Sequence, residues 1–332
     1  MSLGVSTQRL QVYSQNLPSA GSAEWVARYR LDGWMALPPL YKYLDVQGAK
    51  LTLGNGTFKH AKPSDFNDVE DLTIQSIFPE ETEAALKKLT NGFIDVILQH
   101  LNDQPTCSSP SREKIAHIQH AFRTNPNAAE IANADLNKEG GEPIYDVEHM
   151  RERSEAFVNE MNAFMQDYRV FCVSSHRDSE EMWSGYAENH KGIVLRVEPN
   201  VAKDSKFQLF RPVEYREKRP PLYDDTQDFI AGSLFGDQEA QKKAILEKII
   251  YTKTLHWQHE AEYRLAIPFR KGEPPWNVLK YHPEEITELY LGLAMTMEDK
   301  EDMVSKAKAL NSEISIFQVG RDADTKLTFN RI

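Results

Sequence analysis

The sequence predicts an α+β fold with a mixed, mostly antiparallel β core, peripheral helices and a helical insertion. Three observations carry this. Short β-branched and apolar runs occur near both ends of the chain, residues from about 80 to 167 show helical spacing, and helical stretches separate the later strands.

Taken in order, residues 1–39 are polar, hold one helical pattern around residues 23–29 and read as an N-terminal arm. Residues 40–332 then read as a single domain carrying the insertion. Residues 41–44 and 56–61 are strand-like and lead into the turn-rich Lys62-Pro63-Ser64-Asp65-Phe66-Asn67-Asp68 loop. Ala85, Leu86, Leu89, Phe93, Val96 and Ile97 fall on one helical face. A second helix is expected near residues 113–122, and residues 124–143, rich in Asn, Gly, Pro and Asp, read as a long loop with one helical turn. Met150, Phe157, Met161, Phe164 and Met165 share one side of a further helix.

The most informative stretch follows. Strand-like Val170-Phe171-Cys172-Val173-Ser174-Ser175 and Ile193-Val194-Leu195-Arg196-Val197 flank a helix with Asp178 and Glu181 as a capping box and Gly192 as its stop. Those signals predict about three turns. Met182, Tyr186 and Asn189 would share one face, and Trp183, Ala187 and His190 an adjacent one. Polar groups interleaved with an apolar stripe suggest a lined pocket. The alternative, equally open, is that Trp183 and Tyr186 are core anchors whose N–H and O–H find local partners.

Val213-Glu214-Tyr215 is a short strand, and residues 226–256 are helical with a break near Gly236. In residues 262–269, Tyr263, Leu265, Ile267 and Phe269 would face a core, with Glu262 and Arg264 on the opposite face. A strand over residues 288–293, a helix capped by Thr296 and Asp299 and reaching Leu310, and strands near residues 314–319 and 326–330 complete the chain.

Composition limits the function. The 332 residues are 40% hydrophobic and 27% charged, as in an ordinary globular protein. A formal charge of −11 argues against a protein whose main work is neutralising phosphate backbones, so nucleic acid is disfavoured as a partner. Two cysteines, Cys107 and Cys172, fit a reducing compartment. No apolar run is long enough for a membrane span and the first twenty residues lack an apolar signal core, which makes a cytoplasmic location the expectation. No Walker loop, dinucleotide-binding glycine triad, nucleophile elbow or Cys-x-x-Cys pair is present. Oligomeric state is not readable.

Chemistry becomes arguable at Glu262. A guanidinium two residues away on the same strand face, Arg264, can fix its rotamer, and Glu260 supplies a second carboxylate. A structural ion pair is the competing reading. His117-x-x-His120 and His256-x-x-His259 place imidazoles at chelating spacing, the basis of a metal-dependent hydrolase alternative. Neither pair specifies a third ligand, and no metal site is assigned.

Met182-Trp183-Ser184-Gly185-Tyr186-Ala187-Glu188-Asn189-His190-Lys191-Gly192, preceded by Phe171 to Ser175, resembles the central signature of the bacterial family called domain of unknown function 2971. Leu40-Tyr41-Lys42-Tyr43, the Phe66-Asn67-Asp68-Val69-Glu70 loop, Val213-Glu214-Tyr215 and the run from Trp257 to Arg264 match its other marks. Val69 stands where the family usually has proline, and the phenylalanine that follows that proline in the family's loop is absent. The family name carries no activity; association with defence or toxin systems is a family-level expectation.

An early Tyr-Lys-Tyr strand, a middle serine-bearing strand and a late strand glutamate also look like the layout of ADP-ribosyltransferase-type enzymes. That resemblance implies NAD as substrate and Glu262 as the catalytic residue, with Glu260 and Arg264 beside it. Lys42 or Tyr43 would contact ribose and phosphate, and Ser174 and Tyr186 would frame the ring pocket. Tyr41, Asn67, Asp68, Ser175, His176, Trp183, Asn189 and His190 would complete the cofactor-binding cleft. The alternative is a non-catalytic sensor or interaction module for a small nucleotide-like ligand or a protein target.

Overall fold

The computed structural model describes residues 37–125, 127–136, 147–268 and 277–332. The helical pattern expected at residues 23–29, and Phe269, lie outside the described residues. What is described is a mixed α+β protein, divided into two compact units. One unit holds Leu72–Met165 and Lys218–Thr252; the other holds the described residues up to Asp71, together with Gln166–Glu217 and Lys253–Ile332.

In chain order the strands are β1 (Leu40–Leu44), β2 (Thr57–His60), β3 (Tyr168–Ser174), β4 (Ile193–Val197), β5 (Arg211–Pro212), β6 (Glu214–Arg216), β7 (Thr252–Thr254), β8 (Glu262–Pro268), β9 (Asn277–Lys280), β10 (Ile286–Leu291), β11 (Ser315–Arg321) and β12 (Leu327–Arg331). The helices are α1 (Val46–Asn55), α2 (Thr82–Gln99), α3 (Ser109–Thr124), α4 (Ala128–Leu136), α5 (Val147–Met165), α6 (Glu180–Gly185), α7 (Thr226–Phe235), α8 (Gln238–Ile250) and α9 (Met297–Leu310).

The helical unit comprises the insertion, α2 to α5, and also α7 and α8. Val96, Ile97, Ile115, Ile230 and Leu234 form an apolar cluster there. Asn162 fastens the incoming chain by accepting from the Ile74 N–H at 2.7 Å and donating to its carbonyl at 3.0 Å. The break near Gly236 is a full stop: α7 ends at Gly236, and Asp237 caps α8 by accepting from the N–H groups of Glu239 and Ala240. Within the loop expected at residues 124–143, the structure has the nine-residue helix α4. Its four alanines favour the helix. None of its residues is buried, so there is no apolar stripe to read.

The β unit contains an eight-stranded sheet in the order β12-β11-β10-β4-β1-β3-β8-β5. Only β10 and β11 run parallel, and α9 makes the crossover between them; every other pairing in the sheet is antiparallel. Ala49 and Leu53 of α1 and Met303 and Ala307 of α9 pack with Leu40, Leu195, Leu265, Leu289 and Ile316. Tyr41, Tyr43, Val194, Tyr290 and Val319 form a second cluster with Met182 and Trp183 of α6. Helix α1 fills a segment to which the sequence reading assigned no element. Asp45 caps its start, and Gly56, in the left-handed region at φ 62°, ends it.

The signature helix is shorter than predicted. It covers six residues, and its N-cap is Ser179, whose hydroxyl accepts from the Met182 N–H at 3.2 Å, so Asp178 is not the cap. Glu188, Asn189 and His190 all lie at positive φ, which stops the helix well before Gly192. Gly192 is needed for another reason: a Cβ there would sit 2.0 Å from the Leu44 carbonyl oxygen, where β4 begins its pairing with β1. Gly192→Ala is therefore expected to lower stability by about 3 kcal/mol, at the upper end for overpacking because the obstacle is backbone. Urea denaturation measures it, and a midpoint equal to that of the native chain would contradict the close approach.

Candidate functional site

The β unit contains a cavity of about 230 Å³ whose lining includes Tyr41, Lys42, Tyr43, Phe66, Tyr186, Trp257, Glu260 and Glu262. The sheet itself makes the opening. Strands β1 and β3 pair at a single position, Tyr41 with Ser174. At Val170 the neighbour of β3 is Ala61, just past β2, with N–H to O distances of 2.9 Å in both directions. Between these two points the β3 edge lacks a ladder partner. The Lys42 ammonium reaches the gap and donates to the Cys172 carbonyl at 2.9 Å.

Beside this opening lies a buried ionic cluster. Arg264, fully buried, donates to both oxygens of Glu262 at 2.8 and 2.9 Å and to both oxygens of Asp71 at 3.0 and 2.5 Å. Lys253 lies 2.5 Å from Glu260, 3.4 Å from Glu262 and 3.6 Å from Asp71. Two forked guanidinium pairs in a dry environment fix these carboxylates far better than exposed pairs would. Asp71 is delivered by a turn in which Asp68 accepts from the Glu70 N–H through its side chain and from the Asp71 N–H through its carbonyl.

Glu260 and Glu262 are brought into one cavity by the residue between them. Glu260 ends a 3₁₀ turn (Leu255–Glu260), Glu262 begins β8, and Ala261 adopts the left-handed conformation at φ 42°. A non-glycine residue held there is strained, and the surrounding hydrogen bonds hold it: the Ala261 carbonyl accepts from the Ser175 N–H at 3.0 Å and from its hydroxyl at 3.3 Å.

The two carboxyls are driven apart electrostatically. Burial alone would raise the Glu262 carboxyl, but Arg264 and Lys253 outweigh burial and hold it down at about 2. For Glu260 burial dominates, the Glu262 charge adds to it, and its carboxyl is raised despite Lys253. Hydrogen-bond capacity divides the same way. A carboxylate offers roughly four lone-pair sites. Those of Glu262 meet Arg264 Nε, Arg264 Nη2, Lys253 Nζ and the Cys172 thiol. Glu260 accepts from the Tyr186 hydroxyl and from Lys253. Burial also lowers the Lys42 ammonium, with Cys172, Glu262 and Glu260 acting in the opposite sense. The Cys172 thiol is pushed well up by burial and by Glu262, so it stays protonated.

Of the residues proposed from the sequence, Tyr41, Lys42, Tyr43, Asn67, Asp68, Ser174, Tyr186, Glu260 and Glu262 line this cavity. Arg264 supports it from behind. Ser175 holds Ala261, while exposed His176 offers its carbonyl to the Tyr43 hydroxyl at 3.0 Å. Trp183 is fully buried, donates to the Arg177 carbonyl at 2.8 Å, and packs edge-on to Tyr43 and flat on His190. It is a core anchor that backs the wall. His190 meets Glu180 at 3.1 Å, and Asn189 accepts from Ser184 at 3.1 Å; neither is among the lining residues. His117, His120, His256 and His259 are all exposed, and no group of three metal-ligating side chains occurs among the described residues.

Sequence reasoning missed Asp71, Lys253 and Trp257. Asp71 ends the Asp68-Val69-Glu70-Asp71 run, which is indistinguishable from a solvated acidic stretch, and Lys253 lies between two threonines. Nothing local marks either as buried. Trp257 stood in view within the segment ending at Arg264, and its ring lies 4.8 Å below the Lys253 ammonium.

Residues 182–265 match the family model described as Protein of unknown function (DUF2971). The match supports the family suspected from the motifs. The DUF2971 segment contains Tyr186, Lys253, Trp257, Glu260, Glu262 and Arg264, whereas Lys42, Phe66, Asp71 and Cys172 come from outside it. No significant match occurs among curated proteins or solved structures. No described helix is long and apolar enough to cross a membrane.

Proposed function

We propose that this cavity binds the ribosyl end of NAD and transfers or hydrolyses at the N-glycosidic bond, with Glu260 as the carboxylate that acts on the substrate. One observation carries the reading: two carboxylates two positions apart in the chain share an aromatic-walled cavity yet are displaced in opposite directions from their ordinary range. Carboxyl groups separated in this way divide the chemical work. Glu262, saturated by its partners, is a fixed ionised support. Glu260 retains lone pairs for a ligand.

When Glu260 is ionised, Asp71, Glu260 and Glu262 outnumber Lys253 and Arg264 by one charge. That excess favours positive charge developing on a ribosyl carbon as the nicotinamide leaves, and the pyridinium departs without needing a proton. Glu260, made more basic by burial, then takes the proton of the incoming water or acceptor hydroxyl. Tyr43, Phe66, Tyr186 and Trp257 supply apolar and stacking surface. The volume suits one end of a dinucleotide: it exceeds the roughly 150 Å³ that holds a benzene ring, but does not enclose two nucleotides.

The test is nicotinamide release from labelled NAD, with water and with offered acceptors. Glu260→Gln is expected to reduce kcat by about 10²-fold or more while leaving the fold intact. Because Glu260 must be ionised and its folded carboxyl is raised, kcat/KM should fall on the acid side at a pH above the ordinary carboxylate range, and Tyr186→Phe should move that limb. Absence of release under all conditions, or full activity of Glu260→Gln, contradicts the proposal.

A second reading is a non-catalytic sensor. The saturation of Glu262 favours it, since a fully compensated ionic floor also suits a binding site. NAD or ADP-ribose raising Tm without any product would support this reading.

A further inference from the structure

Lys42 is the basic side chain of this cavity that the proposed glycosidic chemistry leaves unused. Among the cavity-lining residues, Lys253 is surrounded by carboxylates and Lys59 has Asp65 at 3.8 Å. Lys42 has no carboxylate within ion-pair distance among the described residues, and its recorded hydrogen bond is to the Cys172 carbonyl. It is carried on β1, a strand paired over all five residues with β4, so its backbone is fixed. The Phe171 ring lies 5.1 Å from the ammonium.

We infer that Lys42 is a covalent amine site: its Nζ condenses with the carbonyl carbon of a small aldehyde or aldose held in the cavity, forming an imine. This goes beyond the glycosidic reading and requires no N-glycosidic turnover. In the step, the neutral amine adds to the carbonyl carbon and gives a carbinolamine. Its hydroxyl leaves as water on taking the proton of the Glu260 carboxyl, and the nitrogen lone pair forms the C=N bond. Lys42 becomes a protonated imine and Glu260 a carboxylate, which that cation then faces. Hydrolysis reverses each bond change.

The electrostatic surroundings support the assignment. The groups that face Lys42 are Glu260, Glu262, Cys172 and His60. Burial favours the neutral amine against the two carboxylates, and burial also holds His60 neutral, down at about 3. An amine whose ordinary range is lowered has a larger neutral fraction at pH 7, the form that adds to a carbonyl. Desolvation is one of the ways by which imine-forming lysines are activated, and Glu260, in the same cavity, supplies the acid.

The experiment uses the full chain with D-glyceraldehyde or D-ribose and sodium cyanoborohydride at pH 7, with peptide mass spectrometry over time. The reagent delivers hydride to the imine carbon and fixes it as a secondary amine. Lys42 is expected to be labelled severalfold faster than Lys59, whose side chain is 66% exposed. Lys42→Arg, which keeps a donor for the Cys172 carbonyl, is expected to fold and to lose the fast-labelled peptide. Should that variant fail to fold, the ratio of Lys42 to Lys59 labelling in the native chain still decides. Labelling of Lys42 no faster than that of Lys59 overturns the inference. Fast labelling in a protein that never releases nicotinamide would uphold it while the glycosidic reading falls.

Discussion

Arg264→Met is expected to destabilise the protein by about 3–5 kcal/mol, because the change leaves the buried Asp71 and Glu262 carboxylates without the guanidinium they share. The desolvation cost of the two carboxylates remains while four charge-assisted hydrogen bonds disappear. The triple variant Asp71→Asn, Glu262→Gln, Arg264→Met should recover part of the loss, since it removes the uncompensated charges as well. Urea denaturation of the two variants against the native chain makes the comparison. The sign with pH follows from the same cluster. Glu262 is held below its unfolded value, so its contribution is complete above the ordinary carboxylate range and is lost as pH falls toward about 2. Arg264→Met should flatten that acid dependence. A cost below about 1 kcal/mol would mean that the cluster is solvated like a surface pair.

Trp183→Ala should cost a comparable amount, about 3–5 kcal/mol, with the effect falling on stability. Its ring is fully buried among Tyr43, His190 and its neighbours in the second cluster, and its N–H is bonded to the chain at Arg177. Trp257→Ala is the natural comparison, since Trp257 is only half-buried and lines the cavity. Equal destabilisation by the two changes, read from thermal unfolding, would contradict their assignment to core and wall respectively.

The strands and most helices were legible because each depended on local signals. Thr296 accepts from the Asp299 N–H at 3.1 Å where the sequence placed the cap of α9, and Glu262 and Arg264 share one face of β8 as the alternation required. The signature helix was misjudged because Gly192 looks like a C-cap in sequence, whereas its smallness serves a contact with Leu44, far away in the chain. Capping is a local property; close approach of backbones is not. The site shows the same division. Glu262, Glu260, Lys42 and Tyr186 were recognisable by residue type within motifs, but Asp71 and Lys253 acquire their roles only when the fold buries them beside Arg264. The occupancy that distinguishes Glu260 from Glu262 depends on Arg264, Lys253 and Cys172 converging on Glu262, so their separate roles were not readable from a Glu-x-Glu pattern.

The central claim is that Glu260 and Glu262 titrate on opposite sides of the ordinary carboxylate range within one cavity. Carbon-13 NMR of the protein with labelled glutamate side-chain carboxyls, with Glu260→Gln and Glu262→Gln providing the assignments, tests this directly. One carboxyl should titrate above the ordinary range and vanish in Glu260→Gln, while the Glu262 signal stays that of a carboxylate at pH 4. Two signals titrating together near the ordinary glutamate value would contradict the account.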